Sequence, residues 1–166
     1  MLVRPAALAR IGGVERIRGE IIDDCALARE IKRAGGRLWL GLTARTRSLR
    51  SYGGFGEVAH MIARTAFTQL GHSTLLLTGT VLGMVLIYVV PPVAALCGSW
   101  WGVAAWAFMT ALYVPMLRFY GQSIMWAPAL PLVAVFYTGA TVLSAVRYWS
   151  GRGGAWKGRV QVRMRD

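Results

Sequence analysis

The chain has 166 residues, with 19 Lys and Arg against 7 Asp and Glu, a net charge of +12, 55% hydrophobic side chains and a mean hydropathy of +0.47. Soluble helices alternate apolar and charged residues to keep one wet face, but only Arg118 is charged between Gly71 and Val146, which excludes an ordinary soluble domain and points to the membrane. Nucleic acid is excluded as a partner by the spread of the cations, from Arg4 to Arg64 and from Arg147 to Arg165, with no zinc-finger, RNA-binding or aromatic-basic pattern.

The first twenty residues carry four arginines and two glutamates around no apolar core. A cleavable signal peptide is therefore not expected, and the N-terminal segment stays in the cytosol. Pro5 to Ile11 predicts a short helix closed by Gly12-Gly13. The run from Ile22 to Gly36 predicts a second helix: Asp23 caps it, Asp23-Asp24 suit its dipole, Ile22 and Leu27 have hydrophobic-staple spacing, and Gly35 stops it. Arg37 to Leu42 alternates like a short strand, so an α/β piece is expected at this end.

Thr43 to Gly56 is a basic loop ending in Tyr52-Gly53-Gly54-Phe55-Gly56. From Glu57 to Leu70 an amphipathic helix is predicted, with Val58, Met61, Ile62, Ala66 and Leu70 on one face. Glu57, His60, Arg64 and Thr68 form its polar stripe. Placed just before the first span, it is expected to lie along the membrane surface.

Three apolar segments follow, about Thr74 to Cys97, Trp100 to Leu117 and Pro128 to Tyr148. Each approaches the roughly 20 residues that cross a ~30 Å hydrocarbon core. Pro91-Pro92 should kink or end the first. Aromatic residues such as Trp100, Trp101, Trp126, Tyr148 and Trp149 gather at segment ends, where amphipathic rings settle. Three crossings from a cytosolic start would leave the tail outside, yet Arg152, Lys157, Arg159, Arg163 and Arg165 favour the cytosol. Either the proline-broken segment is partly re-entrant or a basic tail is exported.

Cys25 and Cys97 have neither a CxxC spacing nor a Cys/His cluster, so neither a disulfide nor a metal site is indicated. His60 and His72 look like ordinary polar residues, and Arg118 a snorkelling cation. The adjacent acids Asp23 and Asp24 have two readings, as helix-start residues or as a general base and its neighbour. Arg64 has two as well, a lipid-facing cation or a clamp on a diphosphate.

The run Gly19-Glu20-Ile21-Ile22-Asp23-Asp24-Cys25-Ala26-Leu27-Ala28 with Gly35-Gly36 resembles the late catalytic segment of family-2 membrane glycosyltransferases. Met1 to Leu8 with Gly12-Gly13 is similar to their acceptor-side segment, and Gly151 to Arg159 to their Trp-Lys-Gly-Arg tail. Taken whole, the chain most resembles the C-terminal part of the hopene-associated glycosyltransferases of bacterial hopanoid biosynthesis. The resemblance implies that residues 1–50 are the C-terminal remnant of a cytosolic GT-A-like domain. Residues 51–73 would be loop and interfacial helix, 74–149 three transmembrane helices and 150–166 a basic tail. Asp24 takes the place of the catalytic base, with Asp23 before it. Arg64 matches the arginine of the Q-x-x-R-W motif, although Met61 stands where Gln is expected and Thr65 where Trp is. The implied reaction moves a sugar from a nucleotide-sugar to a lipid acceptor at the bacterial inner membrane. A divalent metal, Mg or Mn, would assist, with ligands and donor site outside this chain, so the isolated chain is expected to be inactive. The rival expectation is a non-enzymatic accessory subunit or carrier.

Overall fold

A computed structural model describes residues 1–20, 22–46, 49 and 52–153. The chain divides into two compact units, Met1–Thr43 and Ala44–Asp166.

In the first unit, α1 (Pro5–Arg10) begins with a proline, whose missing N–H costs nothing in a first helical turn. The N–H groups of Gly12 and Gly13 return to the carbonyls of Ala9 and Leu8 and close it. A 3-10 turn (Val14–Ile17) leads to α2 (Asp23–Arg33). Gly35, at φ +75°, lets the Gly36 N–H reach the Ile31 carbonyl at 2.8 Å and end α2. Ile11, Leu27 and Ile31 form a small core with Val3, Leu8, Ile17 and Ala34 around it. Glu30 binds the unit's basic rim, 2.7 Å from Arg33 and 3.3 Å from Arg16.

The strand expected over Arg37–Leu42 does not form. Residues 37–42 carry no regular secondary structure, and the described residues contain no strand. A strand needs a neighbour to take its N–H and C=O groups, and no described segment supplies one. Trp39 and Leu40 are left 87% and 99% exposed. The expected α/β piece is thus corrected: the described chain is all-helical.

The second unit begins with α3 (Phe55–Gln69), followed by α4 (Thr74–Met84), a π turn (Val85–Val89), α5 (Val90–Leu96) and α6 (Trp100–Phe119). A 3-10 segment (Ile124–Ala129) then leads into α7 (Leu130–Trp149). Three stretches are long and apolar enough to cross a membrane: Thr74–Leu96, Trp100–Phe119 and Ile124–Trp149. Most of their large side chains, among them Leu75, Leu82, Phe108 and Leu132, are exposed. Lipid, not water, can cover such a surface. The prolines do not break the first span. The π turn precedes them, and Pro91 and Pro92 then fall in the first turn of α5, where a missing N–H is tolerated.

α3 packs lengthwise on α7. Phe55 meets Phe136 edge-on at 5.9 Å, and Phe67 meets Tyr148 edge-on at 5.4 Å. Twelve residues separate the contacts on each helix, so the two run parallel for about 18 Å. Small residues permit the approach: Ala63 on α3, and Ala140, Ser144 and Ala145 on α7, are all buried. The buried stripe is therefore centred on Ala63 and Phe67, not on the predicted Val58, Met61, Ile62, Ala66, Leu70 face. Met61 is exposed and holds the Tyr52 hydroxyl on its sulfur.

Leu77, near the start of α4, joins Phe67 and Ala145 in a buried cluster. The π turn, further along, also packs on α7. Ala145 lies only one turn from the end of α7, so α4 must run antiparallel to it. Gly102 seats against the backbone of Ala94 and Ala95, which makes α5 and α6 an antiparallel hairpin. α6 and α7 therefore run the same way, and the link between them folds back. The Trp106 indole, early in α6, donates to the Pro128 carbonyl at 3.1 Å.

Candidate functional site

Asp23 and Asp24 occupy the first turn of α2, where acidic charge meets the positive end of the helix dipole. Both are exposed. The cap position falls on Ile22, which makes no side-chain cap bond, so Asp23 lies one residue inside the expected cap. Its Oδ1 accepts the Asp24 N–H at 3.0 Å, and Asp24 Oδ1 accepts the Cys25 N–H at 2.8 Å. These bonds fix the carboxylates at the helix end with the Asp24 side chain open to solvent. Desolvation first, and then the Asp24 carboxylate, push the Cys25 thiol above its ordinary value.

Leu27 and Ile31, on the same helix, anchor this acidic end through the small core beneath it. The arrangement can present a carboxylate acceptor to a hydroxyl. Among the described residues no three His, Cys, Asp or Glu side chains group together. The resemblance places the ligands of its divalent ion outside this chain.

Arg64 belongs to the second unit, on α3, next in sequence to buried Ala63, and is half-buried. Glu57 and His60 of the same predicted stripe are exposed. Glu57 Oε2 accepts the Gly53 N–H at 3.0 Å and fastens the approach to the helix. Asp24 and Arg64 thus fall in different units.

Sequence reasoning missed an aromatic corner where α3, α4 and α7 meet. Phe67, 1% exposed, packs edge-on against His72, Tyr148 and Trp149 at 5.4–5.6 Å. His72 stacks on Tyr148 with centroids 4.2 Å apart and an interplanar angle of 17°. Gly71 and His72 both have positive φ, +58° and +56°, and this tight reversal swings the imidazole back over α3. Burial lowers the His72 pKa. The buried Ser144 hydroxyl accepts the Phe67 N–H at 3.0 Å. His72, which looked like an ordinary polar residue, is a packing element. The small residues at Ala140, Ser144 and Ala145 were the available signal. The tail motif from Gly151 to Arg159 lies outside the described residues beyond Gly153.

The described residues form an all-helical chain with three helices long and apolar enough to cross a membrane, the pattern of a multi-pass membrane protein. No family model, curated protein or solved structure matches the chain.

Proposed function

We propose that the chain is the membrane-bound C-terminal portion of an inverting family-2-like glycosyltransferase that moves a sugar from a nucleotide-sugar to a lipid acceptor, in the hopanoid class. The observation that carries this reading is Asp24, an exposed carboxylate pinned at a helix start within the Gly19–Ala28 run, in a chain that also holds three span-length helices. Asp24 would take the proton of the acceptor hydroxyl. The freed oxygen attacks the anomeric carbon from the face opposite the leaving nucleoside diphosphate, whose bond to that carbon breaks. Asp23 adds negative charge beside the base, and the spans deliver a lipid acceptor. The setting proposed is the bacterial inner membrane, with the first unit cytoplasmic and the Mg or Mn ligands outside this chain.

The test uses membranes from cells carrying the gene in its chromosomal context, supplied with labelled nucleotide-sugars and Mg2+ or Mn2+. Label should enter the lipid extract, and Asp24→Asn should lower it by roughly 10²–10⁴-fold, the worth of a general base, without loss of membrane-inserted protein. The purified 166-residue chain should transfer nothing. Wild-type transfer by Asp24→Asn would leave the acidic pair a helix-start feature and favour a non-enzymatic accessory protein.

A further inference from the structure

The helix directions in the second unit carry an inference independent of sugar transfer. α4 starts, and α7 ends, at one end of the bundle, where Leu77, Phe67 and Ala145 are buried together. The α5–α6 turn, Cys97 to Ser99, marks the other end. A plain three-crossing chain would run its first and third spans parallel, whereas α4 and α7 are antiparallel. The reversal falls in the link of residues 120–129. The end of α6 lies thirteen residues, roughly 20 Å, beyond Trp106, yet Pro128 is hydrogen-bonded to Trp106. The link thus returns most of the way along α6 before α7 begins.

Irregular backbone at bilayer depth survives only if its polar groups are satisfied. The link meets that condition in several ways. Gln122 N–H donates to the Leu117 carbonyl at 2.8 Å, and the Ser123 hydroxyl accepts the Met125 N–H at 3.3 Å. The 3-10 turns bond internally, Pro128 has no N–H to bury, and its carbonyl takes the Trp106 indole. Exposed Met125 and Trp126 present apolar surface to lipid.

Charge divides along the same axis. Arg118 closes α6, Arg147 and Arg152 sit at the end of α7, and Arg64 lies three residues before Phe67, which meets Tyr148. The opposite end, from Ala95 to Val103, carries no charge and has Trp100 and Trp101 exposed. We infer that residues 120–129 form a re-entrant link, and that the arginine-bearing end, with both the α3–α4 turn and the C-terminal tail, faces the anionic headgroups of the cytosolic leaflet.

The protein supplies its own reporter, since Cys97 is exposed at the opposite end. In a Cys25→Ser background, a membrane-impermeant maleimide applied to spheroplasts should label Cys97. Ser150→Cys and Gln122→Cys, each in a Cys25→Ser/Cys97→Ser chain, should label only in inverted vesicles. Ser150→Cys labelled from the same face as Cys97 would restore three plain crossings and overturn the re-entrant link. Cys97 labelled only in inverted vesicles would overturn the orientation.

Discussion

Phe67→Ala tests the packing of α3 on α7. The ring is 1% exposed and lies among Tyr148, Trp149, His72, Leu77 and Ala145. In a water-soluble core, Phe→Ala costs about 3–5 kcal/mol, part of it lost transfer from water. Beside lipid that transfer part falls away, because the surroundings are as apolar as the side chain. The void remains. Removing the ring opens about 100 Å³, and at ~24 cal/mol per Å3 this costs about 2.4 kcal/mol. Leu75→Ala, at a position 81% exposed, should cost under about 0.5 kcal/mol. Reversible unfolding in mixed micelles at rising SDS fraction, followed by tryptophan fluorescence, measures both. A double-mutant cycle of Phe67→Ala with Tyr148→Ala should return a coupling of roughly 1 kcal/mol. Equal losses for Phe67→Ala and Leu75→Ala, with no coupling, would refute the packing and return α3 to the membrane surface.

Two further outcomes follow from the second unit. Gly102→Ala places a Cβ against the Ala95 nitrogen and 2.7 Å from the Ala94 carbonyl carbon, so the α5–α6 hairpin should lose about 1–3 kcal/mol in the same assay; Gly83→Ala, which meets nothing within 4 Å, should not. Burial holds the His72 pKa below its unfolded value, so the unfolded chain binds the proton more readily. Stability is then full above pH 6.5 and is lost as pH falls through the folded pKa. His72→Asn, which tolerates positive φ, should flatten that acid-side loss in unfolding titrations between pH 7 and 5.

The span helices were legible because they depend on local composition. A segment that must satisfy its own backbone in lipid has to be a helix, and the observed ends, Thr74–Leu96 and Trp100–Phe119, fall within two residues of those predicted. The glycine stops of α1 and α2 were legible for a similar reason, since each is set within five residues of chain. The strand at Arg37–Leu42 was misjudged because alternation reports a face and not a partner. An unpaired ribbon keeps the alternation and loses the ladder. The burial stripe of α3 was shifted because hydrophobicity ranked Met61 and Ile62 above Ala63. Against another helix, closeness of approach decides, and the smallest side chain marks the seam.

The same distinction separates the two parts of the candidate site. The helix start that carries Asp23 and Asp24 was legible because a dipeptide of acids followed by an apolar period announces it, although the cap falls on Ile22 and not on Asp23. The Phe67–His72–Tyr148–Trp149 corner joins residues more than 70 positions apart, and each alone resembles a belt aromatic or a turn histidine. Neither side chains nor local periodicity reveal that the chain folds back between Tyr120 and Ala129. That reversal is set by the antiparallel run of α4 against α7 and by the Trp106–Pro128 bond. A re-entrant link there would let a basic tail that follows three apolar segments stay on the side of the α3–α4 turn. The cations of α6, α7 and the α3 end gather at one end because a fold-back between parallel helices brings both their C-termini there.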